Sequence, residues 1–345
     1  MTAERPKPGP SKLEDVARLA GVSTATVSRC LNAPDRVLPA TRTRVMEAVA
    51  QLGYAPNSSA RALAARQTFT IGAIIPTMEN AIFARGIQAF QEQLGERSYT
   101  LLIASSSYRE GLEEAQIRTL AARGSDGLLL IGHHRQDRVR TFLRDRHIPT
   151  LVAWAYDPGG AELPSIGFDN ARAMATLARE VLAHGHRRLG VVSAETAGND
   201  RARDRVAGIR RAAAEARLAV DDLTVVETQY GFETGAAAFR RLMDRPRPPT
   251  AVMCGNDVLA VGALRAAGQM GLAIPGEVSI TGFDDIELAT LVDPPLTTIH
   301  VPHREMGRRA ADMLVGMVAD KRLSTDSIEL GVEVVLRGTL GPAPG

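Results

Sequence analysis

Two sets of residues in this chain have types and spacings that could do chemistry. The first lies between Leu13 and Asn32, which reads LEDVARLAGVSTATVSRCLN. Ala17 is small where two helices would cross, Gly21 supplies a tight turn, and Val27 is an apolar anchor on a second helix. That order of small, glycine and branched apolar residues is what a helix-turn-helix requires. The second helix then exposes Thr24, Ala25, Ser28 and Arg29, side chains short or basic enough to enter a major groove. Arg36, Arg42 and Arg44 add cations suited to phosphates. The plainer reading is a helical hairpin in which Arg29 is simply solvated.

The second set is spread over the rest of the chain. Asn256 and Asp257 follow the apolar run Ala251–Cys254, Asp284 and Asp285 follow Val278–Gly282, and Arg205 begins a helical stretch after Leu189–Ser193. Carboxyl ends of neighbouring parallel strands open on one edge of a sheet, so these loops would meet. A guanidinium fork, an amide and an acceptor suit a polyhydroxylated ligand. Trp154 and Tyr230, each just beyond a strand, could stack on the apolar side of a sugar ring. Each has a structural alternative: helix capping for Asn256 or Asp257, solvation for Arg205, packing at a lobe interface for the two aromatics. The paired carboxylates Asp284 and Asp285 invite a catalytic reading, but no nucleophile, metal-ligand set or phosphate loop accompanies them. An enzyme is therefore not expected, nor a cofactor or metal.

The elements that must position these residues follow from pattern. The chain has 345 residues, 45% hydrophobic and 23% charged, a globular mixture long enough for two or three units. Its net charge of +2 conceals an asymmetry: residues 1–66 hold ten Lys/Arg against five Asp/Glu, and the remainder is slightly acidic. A basic head suggests a polyanion partner. The head reads as three helices. Leu13, Val16, Ala17, Leu19 and Ala20 line the first, Ser23 caps the second from Thr24 to about Leu31, and Val45, Ala48, Val49 and Leu52 line the third up to Gly53. From Phe69 short apolar runs alternate with amphipathic stretches such as Ala84–Arg97, Asn170–His184, Arg201–Arg217 and Val258–Met270. That alternation marks parallel sheets wound by helices, here in two lobes with a cleft between them. The polar, proline-bearing start has no signal-peptide core, no run is apolar enough for a membrane span, and Cys30 and Cys254 are isolated, so a reducing cytoplasm is expected. The final residues show no heptad pattern, which favours a dimer over a tetramer.

These segments resemble the lactose repressor family. The likeness rests on DVARLAGVSTATVSRCLN, then Val37, Thr41 and Arg42, then LGYAPNSSARALA. Further on it rests on GFDN at 167–170, HGHRRLGVV at 184–192, GNDVLAVGAL at 255–264, ITGFDD at 280–285 and PPLTTI at 294–299. It covers about residues 12–338, and the spacing around Pro34-Asp35-Arg36-Val37 is somewhat similar to gluconate-type repressors. The resemblance implies a disordered tail (1–10), a helix-turn-helix domain (11–56), a hinge helix or linker (57–68), and a two-lobed effector-binding and dimerisation domain (69–340) like periplasmic binding proteins. Implied DNA contacts are Thr24, Ala25, Ser28, Arg29, Asn32, Arg36 and Thr41, with Leu63 as a minor-groove wedge. The implied effector set is Asn80, Phe83, Trp154, Phe168, Arg205, Tyr230, Asn256 and Asp284. The partners would be a near-palindromic duplex operator, a sugar or sugar-acid effector and a second copy of the chain, with no membrane. His184 and His186 belong to the family's turn before a strand rather than to a metal. At Trp154 several sugar-binding members carry an acidic residue, a departure that argues against a simple neutral hexose. A purine-type co-repressor and a periplasmic-type solute-binding protein are the alternative readings.

Overall fold

The computed structural model describes residues 11–32, 34–54, 67–79, 81–157 and 162–345. The chain divides into two compact units, residues 1–68 and 69–345. In the first, α1 (Leu13–Ala20), α2 (Thr24–Asn32) and α3 (Pro39–Leu52) enclose a small core of Val16, Ala17, Ala20, Val27, Cys30, Val45 and Ala48. Gly21 ends α1 at φ 64°, a left-handed conformation that costs glycine nothing. Ser23 Oγ accepts from the Thr26 amide at 3.2 Å, capping α2. Pro39 opens α3, where its missing N–H leaves no bond unmade. Leu19 departs from expectation: it is 46% exposed. Residues 13, 16, 17 and 20 share one helical face, and position 19 points about 120° away from it.

The second unit contains two parallel sheets. Lobe one holds β1 (Thr70–Ile75), β2 (Thr100–Ser105), β3 (Gly127–Ile131), β4 (Thr150–Ala153), β5 (Ser165–Gly167) and β11 (Ile328–Glu329), in the order β11-β5-β4-β3-β1-β2. Lobe two holds β6 (Leu189–Ala194), β7 (Leu223–Thr228), β8 (Ala251–Cys254) and β9 (Ser279–Thr281), in the order β7-β6-β8-β9. A short antiparallel pair, β10 (Thr298–His300) with β12 (Glu333–Val335), lies beside them. The strands β1, β3, β4, β5, β6, β8 and β9 are buried almost throughout, as expected of strands covered on both faces.

Helices α4 (Ala81–Glu96) and α12 (His303–Ala319) cover one face of the first sheet, and α5 (Glu110–Ala122) and α6 (Asp137–Asp145) the other. On the second sheet α7 (Asn170–Ala183) and α8 (Asp200–Glu215) lie on one face, α9 (Phe232–Met243) and α10 (Asp257–Gln269) on the other, and the short α11 (Leu288–Leu291) follows β9. The chain crosses between lobes at 167–170, at 300–303 and at 329–333, and one apolar cluster runs through the crossings from Ile71 and Phe90 to Val191 and Ile209.

Sequence pattern did not single out α6, α12 or the strands β5, β10, β11 and β12. The strands are two or three residues long, too short for any period to show. The expected tail, Leu63, Asn80 and most of the segment 57–68 lie outside the described residues, as does the side chain of Asn32. Among the described residues no helix is long and apolar enough to cross a membrane.

Candidate functional site

In the first unit the second helix sorts its side chains by face. Val27 and Cys30 are buried, while Thr24, Ala25 and Arg29 are exposed and Ser28 is half-buried. Positions 24, 25, 28 and 29 fall on one side of a 3.6-residue helix, so the burial of Val27 is what turns them outward together. Arg36, Arg42 and Arg44 are exposed on the segment after α2 and on α3, and Thr41 is half-buried. This face offers short hydroxyls and cations and no apolar bulk, which suits base edges flanked by phosphates.

The second unit builds its site from buried groups. Arg205, on the second turn of α8, is 5% exposed. Its Nε donates to Asn170 Oδ1 at 2.8 Å, its Nη1 to the Gly255 carbonyl at 2.7 Å, and its guanidinium lies 3.8 Å over the Phe283 ring. Phe283 in turn packs on Phe168 at 5.7 Å. The third arm, Nη2, points at Asp284 Oδ1 at 3.8 Å, too far for a hydrogen bond. Asp284 is fully buried, sits at φ 104°, and has no hydrogen-bond partner for either carboxylate oxygen among the described residues. Burial pushes its pKa up to about 7, against the pull of Arg205 and Arg201.

Facing Asp284 from lobe one is His303, the first residue of α12. It is 3% exposed, and its Nε2 is 3.9 Å from Asp284 Oδ1, lies near the Asp284 backbone, and makes no hydrogen bond of normal geometry among the described residues. Its Nδ1 is 3.1 Å from the indole Nε1 of Trp154. Trp154 follows β4 at φ 61°, which swings the ring back under α4 against Phe83, edge-on at 5.4 Å. The slot exists because residue 86 is glycine: a Cβ there would lie 2.5 Å from Trp154 Cζ2. Around this centre the lobes touch through the Tyr108 and Tyr230 rings, 5.6 Å apart, and through the His133 amide, which donates to Asp200.

Comparison with known proteins places this geometry. Residues 12–57 match the profile of bacterial regulatory proteins of the lacI family, and residues 178–340 match a periplasmic binding protein-like domain. The chain is 33% identical over 334 residues to the HTH-type transcriptional repressor PurR of Escherichia coli, covering 96% of this chain and 97% of that one. The chain belongs to the lacI family of bacterial regulatory proteins. Its fold is that of the lac repressor dimer solved with operator and the anti-inducer ONPF, with a TM-score of 0.85 at 25% identity over 96% of this chain and 99% of that one. The CelR–cellobiose complex superposes with a TM-score of 0.70 at 28% identity, covering 95% and 99%. This lacI-family member is thus a DNA-binding transcriptional repressor with a ligand-binding body, not an enzyme.

Within the family body, the structure brings Arg205, Asn256, Asp284, Trp154, Phe83 and Phe168 into one region. It assigns some of them to support. Asn256 Oδ1 caps α10, accepting from the Leu259 amide at 2.9 Å, while its Nδ2 is buried without a partner among the described residues. Trp154 is only 2% exposed, which corrects the expectation of an open stacking face; Phe83 and Phe168 are equally packed. Tyr230 is half-buried at the rim. Sequence reading missed Asn170, Arg201, Phe283, Tyr108 and His303. Asn170 and Phe283 stand inside GFDN and ITGFDD, so those motifs carried their signal. His303 had none, because its meaning depends on Trp154, 149 positions away.

Proposed function

We propose that this repressor's operator affinity is set by a small polar effector, a sugar or sugar acid, held between the two lobes. The observation that carries the reading is Asp284: a fully buried carboxyl with both oxygens unpartnered, beside an Arg205 arm at 3.8 Å. A buried polar group without a partner costs about 1–3 kcal/mol, so sites of this kind are where a ligand's hydrogen bonds belong. Arg205 and Asn256 supply donors, Asp284 the acceptor, and Tyr230 and Tyr108 frame the entrance. A flat heteroaromatic effector is the second reading. It draws on that half-exposed tyrosine pair and on the likeness to PurR.

On the DNA side, Thr24, Ala25, Ser28, Arg29 and Asn32 read bases or phosphates, Arg36 and Thr41 hold the backbone, and Leu63 acts as a wedge. The working form is a cytoplasmic dimer on a near-palindromic operator. An exposed apolar surface on lobe two, with Phe232 43% exposed beside Val261 and Leu288, supports the pairing of two copies. Lobe closure shifts the state that the heads adopt. The test is calorimetry with sugars, sugar acids and purines, followed by an operator-binding assay with each binder. A binder whose affinity survives both Arg205→Ala and Asp284→Asn places the effector elsewhere. Leu63→Ala should weaken operator binding and leave effector affinity intact.

A further inference from the structure

The neutral imidazole carries one ring proton, and its position decides what the ring offers. An indole N–H donates and never accepts. With Trp154 Nε1 at 3.1 Å from His303 Nδ1, that nitrogen is the acceptor and the proton sits on Nε2. Nε2 then carries its proton 3.9 Å from Asp284 Oδ1 across the lobe boundary, close to the Asp284 backbone as well, and neither Nε2 nor Oδ1 makes a hydrogen bond of normal geometry among the described residues. The ring is fixed in place. His303 opens α12 where that helix crosses α4, and the crossing is so close that a Cβ on Gly307 would lie 2.1 Å from the Gly86 carbonyl oxygen.

We propose that His303 is an effector-contacting residue: a donor from lobe one, locked in its Nε2–H form by Trp154, that with Asp284 from lobe two brackets a single hydroxyl of the effector. The inference rests on the reading of the cleft as the effector site. A hydroxyl oxygen accepts from Nε2–H and gives its own proton to Asp284. Two such bonds of about 2.8 Å meeting at a roughly tetrahedral angle span about 4.6 Å, so seating the hydroxyl parts the two groups by about 0.7 Å. Above about pH 7, where Asp284 is ionised and can only accept, a carboxylate, a phosphate and a carbonyl have no proton to give it. The pair therefore selects an alcohol at this point of the ligand, and it ties the two lobes through that one group. Trp154 is a positioning residue here, acting through His303 rather than on the ligand.

The test is isothermal titration calorimetry of the full chain with D-glucose, cellobiose, D-gluconate, adenosine and hypoxanthine as probes. The binder found is then taken to His303→Phe, which keeps ring volume without nitrogen, and to His303→Gln, which keeps a donor. Losing this bond should weaken binding roughly tenfold in the phenylalanine variant, with the glutamine variant within a few-fold of the original. Unchanged affinity in His303→Phe overturns the proposal. Equal losses in both variants overturn it too, because they show a packing role. If no probe binds the unaltered protein, the cleft reading falls and this inference with it. ¹⁵N spectra of histidine-labelled protein give a check that no variant's folding affects: a proton on His303 Nδ1 would remove the lock.

Discussion

The two units handle their functional side chains in opposite ways. The head exposes them: Thr24, Ala25 and Arg29 stand on the outside of a helix whose inner face is fixed by Val27. The body buries them: Arg205, Asp284 and His303 are all at most 5% exposed, and Asp284 and His303 keep unpartnered polar atoms. A reader of DNA meets a large convex partner, so its groups must be accessible and need only a rigid helix behind them. A sensor of a small molecule needs the opposite. Its groups gain strength from low dielectric, and the ligand must satisfy what folding left unsatisfied.

Two arginines test this contrast most sharply. Arg205→Ala leaves Asp284, Asn170 Oδ1 and the Gly255 carbonyl without their cation, and should destabilise the body by about 3 kcal/mol or more. Differential scanning calorimetry should show its transition lowered by roughly 6 °C or more. Arg29→Ala removes an exposed side chain, so stability should stay within about 0.5 kcal/mol. An Arg29 variant that melts as early as the Arg205 variant would erase the distinction between outward and buried sites.

Next in size is Asp284→Asn. It keeps the shape and removes the carboxylate, so folding should be unharmed. Effector affinity should fall by roughly 1.5–3 kcal/mol, about ten- to hundred-fold. Operator binding without effector should persist. On the head, if Arg29 contacts a base, Arg29→Ala should cost about 1–3 kcal/mol of operator discrimination there, seen as a relaxed preference in a binding-site selection, whereas a phosphate contact would leave the preference unchanged.

The buried site also makes the body's stability depend on pH. Burial pushes His303 down to about 3 and lowers His133 and His186, whereas burial raises Asp284 to about 7 and, with Asp284 nearby, Asp257 to about 8. Below pH 6.5 the unfolded histidines bind protons that the folded ones refuse, so their contribution is full above 6.5 and is lost as pH falls toward the folded values. The two carboxyls act oppositely: the folded state holds their protons from about pH 4 upward, and that contribution is lost as pH rises through 7 and 8. From pH 6.5 to 8 the histidines no longer contribute a change while the carboxyls lose theirs, so stability of the body should fall across that range, and Asp257→Asn should flatten the fall. A melting temperature that climbs steadily from pH 6.5 to 8.5 would refute the carboxyl assignments.

The smallest expected effect is on the head. Arg36→Ala should reduce the slope of log affinity against log salt by about 0.9 if Arg36 neutralises one phosphate. An unchanged slope would place Arg36 off the DNA.

How much of this was legible depends on the range of the interaction. The three head helices, the glycine turn at 21 and the Ser23 cap are local, with partners within five residues, and the helix period exposes them directly. The parallel strands from 70 to 281 were legible for a similar reason: a strand covered on both faces must be apolar throughout. Leu19 shows the limit even there, because an apolar residue just off the buried face looks the same in sequence as one on it.

The body's site was legible as positions but not as roles. The ends of β8 and β9 and the start of α8 named Asn256, Asp284 and Arg205, because strand ends in a parallel sheet open on one edge. That Asn256 spends one atom capping α10, that Trp154 turns inward, and that His303 matters at all were decided by tertiary structure alone. A cap needs the helix behind it, and a ring's direction follows from one positive φ and from a glycine 68 positions earlier at Gly86. A buried histidine's tautomer follows from a donor 149 positions away. Sequence by itself determined the periodic elements, the outward face of α2 and the edge on which the candidate ligand groups lie, since each depends on neighbours in the chain. Only the fold could decide which of those groups remain unpartnered, since that depends on every other group brought within hydrogen-bonding distance.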